Sequence, residues 1–110
     1  FVGYPYVWGG NDPHTGADCS GFVRYVYSHV AGIPLPRVSR DQARTGTRVN
    51  SSQMRPGDLI FYTNSGGTVN HVAMYIGNGQ IVHAASRRSG IKISTWNYRN
   101  PYRIVNLLGD

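Results

Sequence analysis

A single cysteine stands at position 19, between Asp18 and the pair Ser20-Gly21, and four histidines follow or precede it at positions 14, 29, 71 and 83. A thiol and an imidazole that meet in a fold form a nucleophile and its base, the pairing that performs acyl transfer. From Cys19 onward Phe22, Val23, Val26 and Val30 recur at helical spacing, Asp18 is a good N-cap, and Gly32 with Pro34 ends the pattern. These signals predict a helix over 19–30. Cys19 then lies in the first helical turn, where unpaired backbone N–H groups and the positive end of the helix dipole favour an anion. Such a placement predicts a thiol pKa lowered from about 8.5. The alternative is a buried structural cysteine acting as a small hydrophobe. The small polar neighbours Asp18, Ser20 and Gly21 favour reactivity.

The base must come from elsewhere in the chain, because no histidine lies near Cys19 at helical spacing. His29 is ten residues along the same helix, roughly 15 Å away, and reads as a surface group complementing the helix C-terminus. His14 sits in a loop bearing Gly and Pro. His71 opens an alternating strand, His-Val-Ala-Met-Tyr-Ile, and His83 lies in the next, Gln-Ile-Val-His-Ala-Ala, with Gly77-Asn78-Gly79 as the hairpin turn between them. A two-residue Asn78-Gly79 loop would set Ala73 opposite Ala84 and point the two imidazoles to opposite faces. A three-residue loop sets Ala73 opposite His83 and puts both on one face. In that register the histidines are diagonal neighbours, about 7 to 8 Å apart at Cα. Two unrelated strand histidines remain the plain alternative.

Cys19, His71 and His83 with His14 or Asp18 could also bind zinc, but their spacing matches no Cys-x-x-Cys or His-x-x-x-His metal pattern. Asp12, Asp18, Asp41 and Asp58 are too scattered to suggest a carboxylate pair working as acid and base.

Around these residues the chain alternates structure and punctuation. Gly3 to Gly10 reads as a short extended segment, and Asn11 to Gly16 as a turn-rich loop. Ser39 and Gln42 have capping-box spacing before Gly46, which predicts a short surface helix over 39–45. After the turn at Arg55-Pro56-Gly57, strands are predicted at 58–63, 70–76, 80–85, 91–95 and 103–108. The expected architecture is α+β: one domain over 1–110, with the nucleophile's helix packed on a five- to six-stranded antiparallel sheet. Loops at 32–50 and 64–69 should shape any cleft.

The chain has 110 residues, 40% hydrophobic and 15% charged, which suits a single modest core. No run of about 18 apolar residues exists to span a membrane, and the first residues lack the features of a signal peptide, so any targeting segment is expected upstream or already removed. Eleven basic residues against five acidic give a net charge of +6, which favours a polyanionic partner. The basic residues are spread along the chain rather than gathered on a motif, which argues against nucleic acid. One cysteine permits no internal disulfide.

Five blocks carry a resemblance: Tyr6-Val7-Trp8-Gly9-Gly10, Asp18-Cys19-Ser20-Gly21-Phe22-Val23, Arg55-Pro56-Gly57-Asp58-Leu59-Ile60-Phe61, Asn70-His71-Val72-Ala73-Met74-Tyr75-Ile76-Gly77 and Ile81-Val82-His83-Ala84. In this order and spacing the chain resembles the NlpC family of papain-like bacterial cell-wall cysteine peptidases over nearly its whole length. The resemblance implies a minimal papain-like fold and a Cys19-His71-His83 triad in which His83 orients His71. It implies that Tyr6 helps the Cys19 N–H stabilise the oxyanion, and that Asp18 and Ser20 contact the substrate's amino end. A thioester at Cys19 and no metal or organic cofactor follow from the same likeness. The implied substrate is the peptidoglycan stem peptide, cut between D-gamma-glutamyl (or D-isoglutaminyl) and the diamino acid, diaminopimelate or lysine. A secreted or wall-attached monomer held to anionic wall polymer by its charge completes the expectation.

Overall fold

The computed structural model describes residues 3, 6–7, 9–12, 16–86 and 88–107. Trp8 and His14 lie outside the described residues. Two short strands, β1 (Asn11–Asp12) and β2 (Gly16–Ala17), pair antiparallel just before helix α1 (Cys19–Val26). Asp18 has extended backbone and its side chain accepts the Gly21 N–H, so it is the N-cap that the sequence predicts. The helix buries Cys19, Ser20, Gly21, Phe22 and Val23 on the side that meets the sheet.

The predicted helix over 19–30 ends differently. After Val26 the chain widens into a π-helical turn, Tyr27–Ala31, closed by Gly32 in the left-handed conformation at φ 68°. Tyr27 is buried and its hydroxyl donates to the Gly57 carbonyl, while Val30, which the helical spacing assigned to the core, is 82% exposed. The wider turn carries Val30 off the apolar stripe.

Helix α2 is shorter than predicted, Ser39–Gln42, and Val38 is its cap without a side-chain bond. The Ser39–Gln42 capping box does not form. Gln42 is fully buried and its amide donates to the carbonyls of Ser20 and Pro36 at 3.1 and 2.8 Å, which ties α2 to α1 rather than leaving it on the surface. A capping box does occur at Asn50 and Gln53, around the 3-10 turn Ser51–Gln53.

The remaining strands are β3 (Thr47–Arg48), β4 (Leu59–Thr63), β5 (Val69–Gly77), β6 (Gln80–Ser86), β7 (Gly90–Thr95) and β8 (Pro101–Asn106). They form one antiparallel sheet in the order β3-β8-β4-β5-β6-β7. β3 is a two-residue edge strand that the sequence pattern did not reveal. The run Leu-Ile-Phe-Tyr of β4 is buried on both faces because β4 is central: Leu59 and Phe61 face the core under α1, whereas Ile60 and Tyr62 face a second cluster. Among the described residues, no helix is long and apolar enough to cross a membrane.

Candidate active site

The start of α1 is held by one carboxylate. Asp18 accepts the Gly21 N–H at 2.8 Å on Oδ1 and the Gly9 N–H at 3.0 Å on Oδ2. Arg37 donates to both oxygens at 3.2 Å, a two-pronged ion pair, and to Ser20 Oγ at 2.9 Å and the Gly10 carbonyl at 3.2 Å. The Ser20 hydroxyl in turn donates to Asp18 Oδ1 at 3.3 Å. The loop at Gly10 and the helix are also in close approach, since a Cβ on Gly21 would lie 2.0 Å from the Gly10 carbonyl oxygen. Asp18 and Ser20 therefore line the cleft with much of their bonding capacity engaged inside the chain. Arg37 is a site residue that sequence reasoning missed: it lies in a Pro-rich loop 19 positions from its partner, with no periodic signal to join them.

These contacts set Cys19 at the helix start, 8% exposed, with its S–H directed at the Asn70 carbonyl oxygen 4.0 Å away. Burial pushes the thiol pKa up from its ordinary value and the Asp18 charge pushes it the same way; the backbone N–H groups of Val72, Ser20 and Cys19 itself pull it down. The sequence predicts a lowered pKa. Desolvation of the sulfur outweighs the helix-terminus donors in the free protein.

The two strand histidines do come together. The turn has the two residues Asn78-Gly79, closed by the pair Gly77↔Gln80, but the register shifts between Tyr75 and Gly77, so that Tyr75 pairs with Ile81 and Met74 with Val82. A bulge at Ile76 thus restores the register that a three-residue loop would have produced. His71 and His83 share a face, and His71 Nε2 lies 2.7 Å from His83 Nδ1. His83 Nε2 lies 2.9 Å from Ser94 Oγ. Tyr98 covers the pair edge-on, with ring centroids 6.5 Å from His71 and 5.3 Å from His83. Arg99 anchors this cover by donating to the Thr63 carbonyl at 2.7 Å and to Asn70 Oδ1 at 3.1 Å.

Under this cover both imidazoles are held neutral. Burial lowers the His71 pKa to about 3, helped by His83 and Arg99, and burial lowers that of His83 to about 4, helped by Lys92. The Cys19 sulfur sits beside the two residues flanking His71, against the Asn70 carbonyl and the Val72 N–H. Among the described contacts there is no hydrogen bond between the thiol and the His71 ring. With Nε2 engaged by His83, the other His71 nitrogen, Nδ1, is the one left for a proton from sulfur.

A cleft of about 620 Å³ opens over Cys19, lined by Gly9, Asp18, Ser20, Arg37 to Arg40 and Thr68 to Asn70. The predicted loops at 32–50 and 64–69 each supply part of this lining. Tyr6 is half-buried against the cluster that contains Cys19. His29 is exposed, bonded through Nδ1 to the Tyr25 carbonyl and away from the cleft lining, as its position predicts. Among the described residues no three His, Cys, Asp or Glu side chains gather to hold a metal ion.

Comparison with known proteins supplies further findings. The family model described as "NlpC/P60 family" matches residues 3–107. Protein P54 of Enterococcus faecium is 43% identical over 107 residues, which is 97% of this chain and 20% of that protein. A gamma-D-glutamyl-L-lysine dipeptidyl-peptidase of Bacillus cereus is 42% identical over 88% of this chain and 29% of its own length. The chain thus spans under a third of these relatives. The crystal structure of the NlpC/p60 domain of the peptidoglycan hydrolase SagA superposes with a TM-score of 0.85 at 40% identity, covering 96% of this chain and 89% of that one.

Proposed function

The chain belongs to the NlpC/P60 family, and on that premise we propose that it is a cysteine endopeptidase that hydrolyses peptidoglycan stem peptides after the D-glutamyl residue. The observation that carries this reading is the Cys19 sulfur lying at a helix start against the neighbours of His71, whose ring is bonded to His83. The relative active on gamma-D-glutamyl-L-lysine supports the choice of bond.

Thiol and imidazole are both neutral at rest, so proton transfer accompanies attack. Cys19 Sγ bonds to the stem-peptide carbonyl carbon as His71 Nδ1 takes the thiol proton. The carbonyl oxygen gathers negative charge facing the Cys19 N–H and Tyr6, donors of a kind worth a few kcal/mol in such sites. His71 then passes its proton to the leaving amine, and water hydrolyses the thioester to free the acid and the thiol.

Ser94 sets the tautomers. If His83 Nε2–H donates to Ser94 Oγ, His83 Nδ1 presents a lone pair, which accepts His71 Nε2–H. His71 Nδ1 is then unprotonated and ready to act as base.

The stem peptide's amino end is read by Asp18 and Ser20 at the cleft wall. The same reading makes the domain a monomeric catalytic unit of a secreted or wall-associated protein, drawn to anionic wall polymer by its net charge of +6.

The test is incubation of the domain and of Cys19→Ala with defined muropeptides, with products identified by mass spectrometry. Cleavage after D-glutamyl by the parent alone is expected; cleavage of another bond, or by neither protein, overturns the proposal.

A further inference from the structure

At the edge of the sheet a groove of about 270 Å³ runs along β3 and β8, and none of its lining residues lines the catalytic cleft. Its polar and aromatic lining is Arg48, Asn50, Ser51, Trp96, Tyr102 and Arg103, with no acidic residue. Tyr102 is 48% exposed. The Arg103 guanidinium donates to the Ala43 carbonyl at 3.0 Å and lies 5.3 Å over the Tyr102 ring, so an aromatic plate and a cation are held in a fixed relation. Arg48 is exposed on the edge strand beside them.

Among the described residues, no acidic side chain lines the groove to offset its charge. Of five acidic residues, Asp18 is paired with Arg37, and Asp58 is buried and accepts from Asn106 at 2.7 Å. A flat aromatic face suits the C–H face of a sugar ring, guanidinium groups suit carboxylate or phosphate, and Asn50 and Ser51 offer partners for hydroxyls. The volume is below the roughly 300 to 1,000 Å³ of pockets that enclose a whole small molecule. That suits a polymer crossing the surface and seating one unit at a time.

We propose that this groove is a second, non-catalytic site that binds a sugar chain bearing carboxylate or phosphate groups and holds the enzyme on its insoluble substrate. The proposal rests on the wall-peptidase reading for the source of the chain, not for the chemistry of the site. It predicts two separable functions at two places: turnover at Cys19 and retention at Arg48 and Tyr102.

The experiment measures co-sedimentation of the Cys19→Ala chain with purified peptidoglycan sacculi, alone and with Arg48→Glu or Tyr102→Ala added. The same two substitutions are placed in the active enzyme and assayed on soluble muropeptides. The expected result is a roughly tenfold loss of retention for each, as for a lost stacking plate or cation at a binding centre, with soluble turnover unchanged. Sacculi stripped of phosphate-bearing polymer separate the sources: retention lost on stripping assigns phosphate, and retention kept assigns carboxylate-bearing glycan. Retention unaffected by both substitutions, or absent with Cys19→Ala itself, overturns the proposal. Failure of the peptidase reading shows separately, as absence of soluble turnover by the parent.

Discussion

The helix side and the strand side of the site are built by opposite means. On the helix side, charge is used: the Asp18 carboxylate accepts from two backbone N–H groups, from Ser20 and from Arg37, and gathers the helix start, the Gly9 loop and the Arg37 loop around one anion. On the strand side, charge is excluded. Ser94, His83 and His71 form a line of neutral groups under Tyr98, assembled from residues 11 and 12 positions apart in sequence. A rigid ionic collar fixes where the sulfur stands, and a dry imidazole line keeps a neutral proton acceptor beside it at neutral pH.

The largest effect should come from breaking the strand side at its catalytic end. His71→Ala is expected to lower kcat on muropeptides about 10³-fold, the scale of a lost general base, while thermal unfolding shows a folded protein. Breaking the helix side should instead cost stability. Gly21→Ala forces a methyl against the Gly10 carbonyl, and a loss of about 3 kcal/mol in denaturant unfolding is expected.

Acid should sharpen the contrast. His71 and His83 have folded-state pKa values near 3 and 4, below the unfolded value of about 6.5. The unfolded chain therefore binds protons first as pH falls, so the stability present above pH 6.5 is lost progressively down to about pH 4 for His83 and about pH 3 for His71. The expected loss is on the order of 2 kcal/mol per imidazole at pH 5, read from urea midpoints. His71→Asn combined with His83→Asn should flatten this dependence; an unchanged slope would refute the dry-pair account.

The smallest expected effect concerns the tautomer. Ser94→Ala should lower kcat about threefold to tenfold with KM little changed, since the imidazole pair remains but its proton positions are less firmly fixed. Ser94→Thr, which keeps the hydroxyl, should restore most of the rate.

Much of this could be read along the chain because local signals agree with one another. The cap at Asp18, the apolar periodicity of 22–26, and the punctuated strands after Gly57 each name their element without knowledge of the rest. The same local reading fails where a distant group intervenes. Gln42 has the spacing of a cap residue but turns inward to two carbonyls, and Val30 keeps helical spacing through a turn that is no longer α-helical. Ser94, Tyr98 and Arg99 carry no motif at all, and only the sheet's register and the β7–β8 loop bring them to the histidines.

The sequence by itself determined the family, the helix that begins at Cys19, and the pair of strands that carry His71 and His83. These depend on residue type and on spacing over a few positions, which any part of the chain expresses alone. Tertiary structure decided the rest: the bulge at Ile76 that puts both imidazoles on one face, the pairing of Arg37 with Asp18, and the upward push on the thiol. Each depends on which groups are excluded from water and which distant partner arrives, and burial is a property of the packed whole.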